Sequence, residues 1–196
     1  ADIEERLSEI RSNLPAGYTM DLDGEVSVMR SSFANLGLGL FLALLFAYLI
    51  VVPLFRSFRQ PVGMLIAFPP ALAGVVGLLY VTGTPLSIQA LMGSIMVVGI
   101  TVSYGNLLVD RINKLRTEGM SLEEALTEGS RQRLRPIIMT ALTTVLGLLP
   151  TAIGFGGSSI NEPLALAVIG GTSMAALLTL YVVPVGYRFF SKPELK

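Results

Sequence analysis

The 196-residue sequence contains no cysteine and no histidine. The lack of cysteine excludes disulfide frameworks and thiolate metal sites. The lack of histidine removes the commonest metal ligand and the usual acid-base group at neutral pH. Most hydrolytic active sites are therefore excluded, and we expect no metal site, no cofactor and no enzymatic activity.

Charged residues are also scarce, at 14% of the chain against about 25% in an average soluble domain. Hydrophobic residues make up 52%, and the mean hydropathy is +0.68. Basic and acidic residues balance at 14 each, so net charge gives no reason to expect nucleic acid as a partner. The composition predicts a protein of the lipid bilayer.

Five apolar runs are long enough to cross a hydrocarbon core of about 30 Å, which needs about 20 helical residues. They cover residues 33–55, 62–81, 88–109, 137–155 and 164–187. Pro136 suits the first turn of the fourth run, and Pro150 should kink or close it. The sequence predicts an all-α polytopic membrane protein, with a bundle over 33–190 and a tail at 191–196.

Basic residues fall mainly in alternate connectors, which indicates the orientation of the spans. The connectors 82–87 and 156–163 contain none. We therefore predict an extracytoplasmic N-terminus, which is periplasmic in a bacterial inner membrane, and a cytoplasmic C-terminus. On the cytoplasmic side this places Arg56, Arg59, Arg111, Lys114, Arg116, Arg131, Arg133, Arg135, Arg188, Lys192 and Lys196.

The first 32 residues differ from the rest of the chain. Apolar residues recur at helical spacing from Ile3 to Leu14, and Pro15 then ends the predicted helix over 2–14. Residues 18–23 are typical of a short strand. Because one helix and one strand cannot bury a core, we expect residues 1–32 to end an extracytoplasmic α+β domain whose body, with an N-terminal half, is missing.

The connector between the third and fourth runs carries a capping box, in which Ser121 and Glu124 satisfy each other's end of a helix start. This predicts a short amphipathic helix over about 121–129. With Arg131, Arg133 and Arg135 it would lie at the cytoplasmic headgroup level, where basic side chains meet anionic lipid. A plain connecting helix is the alternative.

Small residues at four-residue spacing predict close helix contacts, because helices in lipid associate through backbone approach and shared polar groups. Such spacing occurs in the first, second and fifth runs, and isolated glycines occur in the third and fourth. The residues are Gly39, Ala43, Ala47, Gly63, Ala67, Ala71, Gly99, Gly147, Ala167, Gly171 and Ala175.

The third and fourth runs each carry a polar stripe. At 100° per residue, Gly99, Ser103, Asn106 and Asp110 lie within about 60° of one another. Polar groups inside a membrane are costly unless they face other helices or water, so two facing stripes would form a hydrated seam and are candidates for a functional site. The fourth run contributes Arg133, Thr140, Thr143, Thr144, Gly147 and Thr151.

Other interpretations of these stripes stay open. Serine and threonine often bond to carbonyls of their own helix, whereas the Asn106 amide is harder to satisfy in that way. Asp110 could carry a proton, pair with Arg133 or Arg135, or lie at the surface.

The sequence also resembles a known family. The run RQRLRPIIMTALTTVLGLLP at 131–150, with GITVSYGNLLVDRINKLRTEG before it and EPLALAVIGGTSMAALLTLYVVP after it, resembles the C-terminal portion of resistance-nodulation-division (RND) efflux permeases. The likeness extends over essentially the whole chain, including the end of the porter domain at residues 1–24. In that family the five runs would correspond to spans eight to twelve of twelve.

The resemblance implies proton-driven export of hydrophobic or amphiphilic compounds from the bacterial inner membrane. It also implies a homotrimer with a periplasmic adaptor and an outer-membrane channel. Thr140 and Arg133 match polar and basic family positions. The sequence departs from the family at Ser103, where many drug-efflux members carry lysine. A lysine could pair with carboxylates of another span, whereas Ser103 can only donate or accept a hydrogen bond.

Two alternatives remain beside drug efflux. A related branch of the superfamily exports heavy metals or lipids, and its substrate site would lie in the missing domain. A non-transporting membrane scaffold is the alternative from another class, and the missing lysine favours it slightly.

Overall fold

The computed structural model describes residues 25–55, 65–155 and 159–190. Within these ranges the chain forms helices and no β-strand. They are α1 (Glu25–Phe55), α2 (Phe68–Thr82), α3 (Ile88–Thr117), α4 (Leu122–Ala152) and α5 (Glu162–Phe190), with a 3₁₀ turn at Ser159–Asn161. The helix predicted at 2–14 and the strand predicted at 18–23 lie outside the described residues.

The helices confirm an all-α membrane bundle. Four of those described are long and apolar enough to cross a bilayer, namely Ser31–Phe55, Ile88–Thr117, Leu122–Ala152 and Glu162–Arg188. The shorter apolar helix α2 has 15 residues, which extend over about 22 Å at 1.5 Å per residue.

The second apolar run differs from the prediction, which was one unbroken helix over 62–81. Leu65 is helical, Ile66 and Ala67 form a turn, and α2 then begins at Phe68 with prolines in its first positions. Proline has no N–H to donate and its ring clashes with the carbonyl four residues earlier. Pro69 and Pro70 therefore end one helical segment and start the next.

A second correction concerns the helices predicted separately at about 121–129 and 137–155. The structure joins them in one helix of 31 residues, α4, which contains both Pro136 and Pro150. Gly129 does not end the first segment, because it is buried against Ile112 of α3 and is not among the glycines with positive φ. The helix thus continues past Gly129 and includes Pro136 in its interior.

Helix α5 lies at the centre of the described bundle, where it packs against α2, α3 and α4, while α1 packs against α3. The closest crossing brings α5 against α2 at two glycines. A Cβ atom added to Gly74 would lie 2.5 Å from the carbonyl oxygen of Gly170. Only a residue without a side chain fits at this crossing.

Other small residues predicted to pack lie at helix contacts to different degrees. Ala67, Ala71, Ala167 and Ala175 are buried, and a Cβ on Gly171 would lie 2.5 Å from Val97. Contacts in α1 are looser, since a Cβ on Gly39 would lie 3.6 Å from Ile95 and Ala43 and Ala47 are half-buried. Gly63 lies outside the described residues.

Gly99 and Gly147 depart from the packing expectation. A Cβ added to either would meet no atom within 4 Å among the described residues, and both residues are exposed. They lie on polar stripes that face away from the bundle core, and so they make none of the close contacts that Gly74 and Gly170 make.

We expect Gly74→Ala to lower the free energy of unfolding by about 1–3 kcal/mol, because the added methyl group must push two backbones apart. Gly77→Ala on the same helix is the matched control, since its Cβ would meet no atom within 4 Å. Thermal unfolding in detergent would measure both variants. Equal melting temperatures for the two would contradict the close crossing.

The N-terminus of α4 confirms the predicted capping box. The Ser121 hydroxyl donates to Glu124 Oε2 at 2.8 Å and accepts from the Glu124 backbone N–H at 3.4 Å. The Ser121 backbone N–H donates to the same carboxylate at 3.2 Å. The hydrogen bonds from the Ser121 side chain and backbone lower the pKa of Glu124.

Because the folded state lowers the pKa of Glu124, its stabilisation is present above the unfolded pKa and is lost as pH falls through the folded one. Hydrogen exchange of the first-turn amides of α4 should therefore quicken at acid pH. At neutral pH, Ser121→Ala should quicken exchange about fivefold. Thr127→Ala should not, because the Thr127 hydroxyl bonds to the Glu123 carbonyl outside the cap. Exchange rates that change neither with pH nor in Ser121→Ala would contradict this account.

Candidate functional site

The two polar stripes lie on neighbouring antiparallel helices, α3 and α4. Their register is set by Arg111 Nε, which donates to Gln132 Oε1 at 2.5 Å. Counting along the two helices from this contact, Asp110 lies level with Arg133, and Ser103 lies level with Thr140. The predicted positions on the two helices therefore match in height along the bundle axis.

The stripe on α3 faces away from the core of the described bundle. Gly99, Ser103 and Asp110 are exposed and Asn106 is half-buried. The opposite side of α3 supplies core residues, among them Val97, Thr101, Tyr104, Leu108 and Ile112. Among the described residues no helix covers the stripe, so its polar groups are available to another segment, to lipid or to water.

Threonines of α4 satisfy their donors within their own helix. The hydroxyls of Thr140, Thr143 and Thr144 donate to the carbonyls four residues earlier at 3.0, 2.9 and 2.9 Å. Thr140 and Thr143 are exposed, and Thr144 is half-buried. Each hydroxyl oxygen keeps lone pairs that accept hydrogen bonds, so these residues present acceptors on the outer face.

Two polar atoms at the site are buried without a partner. Asn106 Oδ1 and Arg133 Nε are both inaccessible to solvent and make no hydrogen bond to the described residues. An unpaired buried amide or guanidinium group costs free energy in a low-dielectric interior. Both residues are only half-buried, so an unsatisfied interior atom and an accessible part belong to the same side chain.

Asp110 does not form the ion pair that one interpretation expected. It is exposed, and within the described residues it makes no salt bridge to Arg133 or Arg135. Its neighbour Arg111 instead bonds to Gln132 across the α3–α4 contact. Asp110 is thus a surface carboxylate at the end of the stripe.

Sequence reasoning missed a set of hydroxyls inside the bundle. Tyr104, Thr172 and Thr179 are at most 2% exposed, and their hydroxyl oxygens have no hydrogen-bond partner among the described residues. Thr172 and Thr179 are seven residues apart on one face of α5. That heptad spacing was visible in the sequence, but the alanines beside it were interpreted only as packing residues.

No group of three or more acidic, histidine or cysteine side chains that could hold a metal ion occurs among the described residues.

The chain matches known proteins along nearly all of its length. The sequence model of the AcrB/AcrD/AcrF family matches residues 1–191. The swarming motility protein SwrC of Bacillus subtilis is 38% identical over 180 residues, which is 91% of this chain and 17% of that protein. The cobalt-zinc-cadmium resistance protein CzcA of Cupriavidus metallidurans is 38% identical over 182 residues, 92% of this chain and 17% of CzcA.

Further similarity comes from a drug-resistance protein and from a crystal structure. The multidrug resistance protein MdtC of Erwinia tasmaniensis is 33% identical over 181 residues, 91% of this chain and 18% of MdtC. A crystal structure of a heavy metal efflux pump matches with a TM-score of 0.75 and 29% identity, over 95% of this chain and 19% of that one. The chain therefore spans less than a fifth of the length of these relatives.

Proposed function

Because this chain belongs to the AcrB/AcrD/AcrF family of RND efflux transporters, we propose that it supplies five membrane spans of a permease driven by the proton-motive force. Members of this family are secondary transporters and not enzymes. In this role the chain belongs to the part of the permease that carries protons, and substrate passes through other segments of the permease.

The observation that carries the proposal is the uncovered polar face of α3 and α4, where the half-buried residues Asn106 and Arg133 each hold an atom with no hydrogen-bond partner among the described residues. Asn106 Oδ1 and Arg133 Nε support a contact with a further helix of the permease that bears carboxylates. The Arg133 cation stabilises an ionised carboxylate and lowers its proton affinity. Ser103 donates or accepts a hydrogen bond at the level of Thr140 and completes a polar path that admits water.

Proton transfer along this face changes how the bundle packs. When the facing carboxylate is ionised, the Arg133 guanidinium pairs with it and draws the two groups of helices together. When the carboxylate is protonated, the pairing weakens and the other arrangement gains population. Alternation between the two arrangements is the step that couples proton entry to export.

The orientation follows from the basic residues of α3, α4 and α5, which fall between Arg111 and Arg135 around the α3–α4 connection and at Arg188 near the end of α5. Contacts join the helices there, including the Arg188–Glu123 ion pair at 3.0 Å between α5 and α4. By the positive-inside rule this end is cytoplasmic, and the permease lies in the inner membrane. We propose a homotrimer that works with a periplasmic adaptor and an outer-membrane channel.

The exported compounds are proposed to be hydrophobic or amphiphilic. Similarity to MdtC, a multidrug resistance protein, supports this class. Similarity to CzcA and to a heavy metal efflux pump favours metal ions as the second candidate. Both classes use the same membrane bundle, so the distinction rests on segments beyond this chain.

Expression of the permease that carries this chain in an efflux-deficient bacterium should lower the accumulation of a lipophilic cationic dye severalfold. A protonophore should abolish the difference. Growth on cobalt, zinc and cadmium salts, measured in the same strains, tests the second candidate. Dye accumulation and metal tolerance that both match the empty-vector strain would identify a non-transporting scaffold.

Asn106→Leu should reduce efflux at least tenfold without lowering membrane abundance, because leucine offers no hydrogen bond to the proton path. Thr140→Val removes an acceptor and should have a smaller effect in the same direction. Met96→Leu is the control, because it changes an exposed apolar residue of the same helix. Efflux rates normalised to membrane abundance measure the effect of each variant. Full efflux in both polar variants would mean that Asn106 and Thr140 contribute only to helix packing.

A further inference from the structure

Two hydrogen bonds in series join α3 to α4 beside the polar stripes. Arg111 Nε donates to Gln132 Oε1 at 2.5 Å, and Gln132 Nε2 donates to Glu128 Oε1 at 2.8 Å. Glu128 and Gln132 are four residues apart and so share one face of α4. This arrangement, called here the Gln132 bridge, links a cation of α3 to a carboxylate of α4 through one neutral amide.

The Gln132 amide fits between its two neighbours in one orientation. Its carbonyl oxygen accepts from the Arg111 guanidinium group, and its NH₂ group donates to the Glu128 carboxylate. After a flip of the amide, N–H groups would face N–H groups and oxygen would face oxygen, so both hydrogen bonds would be lost. The two charged neighbours therefore fix the orientation of the Gln132 side chain.

Close packing of the two helices lies directly beside the Gln132 bridge. A Cβ atom added to Gly129 would lie 2.9 Å from Ile112 Cγ1, and Ile112 follows Arg111 in the sequence. Gly129 lies three residues before Gln132, so both residues face α3. Because a hydrogen bond weakens steeply when it is misaligned, the bridge restricts the register and rotation of α4 more narrowly than packing alone does.

The position of Arg133 depends on the Gln132 bridge, because the two residues are consecutive in α4. Successive residues of an α-helix point about 100° apart, so Gln132 points toward α3 while Arg133 points one step around the helix. A slide of α4 by one residue would move Arg133 by about 1.5 Å relative to Ser103 and Asn106 on the stripe of α3.

Other charged residues near this level are placed where they leave the Gln132 bridge intact. Arg188 of α5 pairs with Glu123 at 3.0 Å. Asp110 of α3 is exposed, and so are Arg131 and Arg135 of α4. The charges that could replace the partners of Gln132 are thus either paired with another group or directed to the surface.

We propose that Gln132 is a positioning residue for proton coupling. It touches neither the proton nor the substrate. By joining Arg111 to Glu128 it holds the Arg133 guanidinium group at the height where that group meets the facing carboxylate of the permease. This inference rests on the proposed function, which gives Arg133 its role, whereas the geometry of the bridge belongs to α3 and α4 alone.

Gln132→Leu removes both hydrogen bonds, and its effect can be measured in proteoliposomes that contain the permease with this chain under an imposed pH gradient. The maximal rate of dye efflux per folded transporter should fall about fivefold. The dye concentration at half-maximal efflux should not change, because substrate passes through other segments. Gln132→Glu keeps an acceptor for Arg111 and should restore part of the rate.

Gln89→Leu is the matched control, because it makes the same chemical change in the first turn of α3. Gln89 is 22 residues before Arg111, which is about 33 Å along the helix axis. This variant should keep the efflux rate of the unchanged permease. An equal loss of rate in Gln89→Leu and Gln132→Leu would overturn the positioning role.

A second measurement tests the geometry without transport. In a cysteine-free version of the permease, spin labels are attached at Lys114→Cys and Thr127→Cys, which replace exposed residues of α3 and α4. Adding Gln132→Leu should broaden the distribution of distances between the two labels, whereas adding Gln89→Leu should not.

The two measurements separate failure of this inference from failure of the proposed function. An unchanged distance distribution in Gln132→Leu, or full efflux by that variant, would overturn the positioning role while the unchanged permease still exports dye. A permease that exports neither dye nor metal even without substitutions would overturn the proposed function, and with it the role of Gln132 in coupling.

Discussion

Close backbone contact of α5 with its neighbours is the constraint on which the rest of the described bundle depends. Lipid tails are as apolar as leucine, so burial of carbon surface gives helices in a membrane little reason to associate. At the crossing of Gly74 and Gly170 the two backbones touch without an intervening side chain. On another side of α5, Gly171 admits the methyl groups of Val97. Dispersion and dipole contacts therefore replace the hydrophobic effect as the source of cohesion.

The rotation of α3 about its axis follows from that packing, and with it the position of the polar face. Once Val97 and Leu108 are held inside, the stripe with Ser103 and Asn106 must point outward, because it occupies the other side of the same helix. The helix is thus amphipathic within the membrane, since one side packs against α5 and the other side carries polar groups. The proton path we propose and the bundle core are two sides of one helix.

Sequence reasoning predicted what composition and periodicity determine locally. The all-α class, the connector at 82–87 and the Ser121–Glu124 cap appear as expected, since each depends on residues a few positions apart. The break before Phe68 was not predicted, although the sequence shows Pro69 and Pro70. Hydropathy is averaged over a window of residues and does not detect the effect of a proline on helix geometry.

Other features could not be read from one sequence. Gly129 continues α4 instead of ending it where it packs against Ile112, and that contact joins residues from two helices. The interior hydroxyls of Thr172 and Thr179 were hidden for the same reason. Which threonine faces a partner and which bonds to its own carbonyl is decided by rotamers that pattern analysis does not address.

The unbroken course of α4 has a mechanical consequence. A helix of 31 residues is about 46 Å long, and it runs from the capping box at the aqueous surface through Thr140 to Pro150. Its lower third is fastened to α3 and α5 by Gln132 and Glu123. Beyond these contacts only one side of α4 is packed, where Ile137, Ala141 and Ala152 join the core cluster, and the other side is uncovered. Because the helix is continuous, a rearrangement of its N-terminal turns at the cytoplasmic surface is transmitted along one rigid element to the opposite side of the membrane.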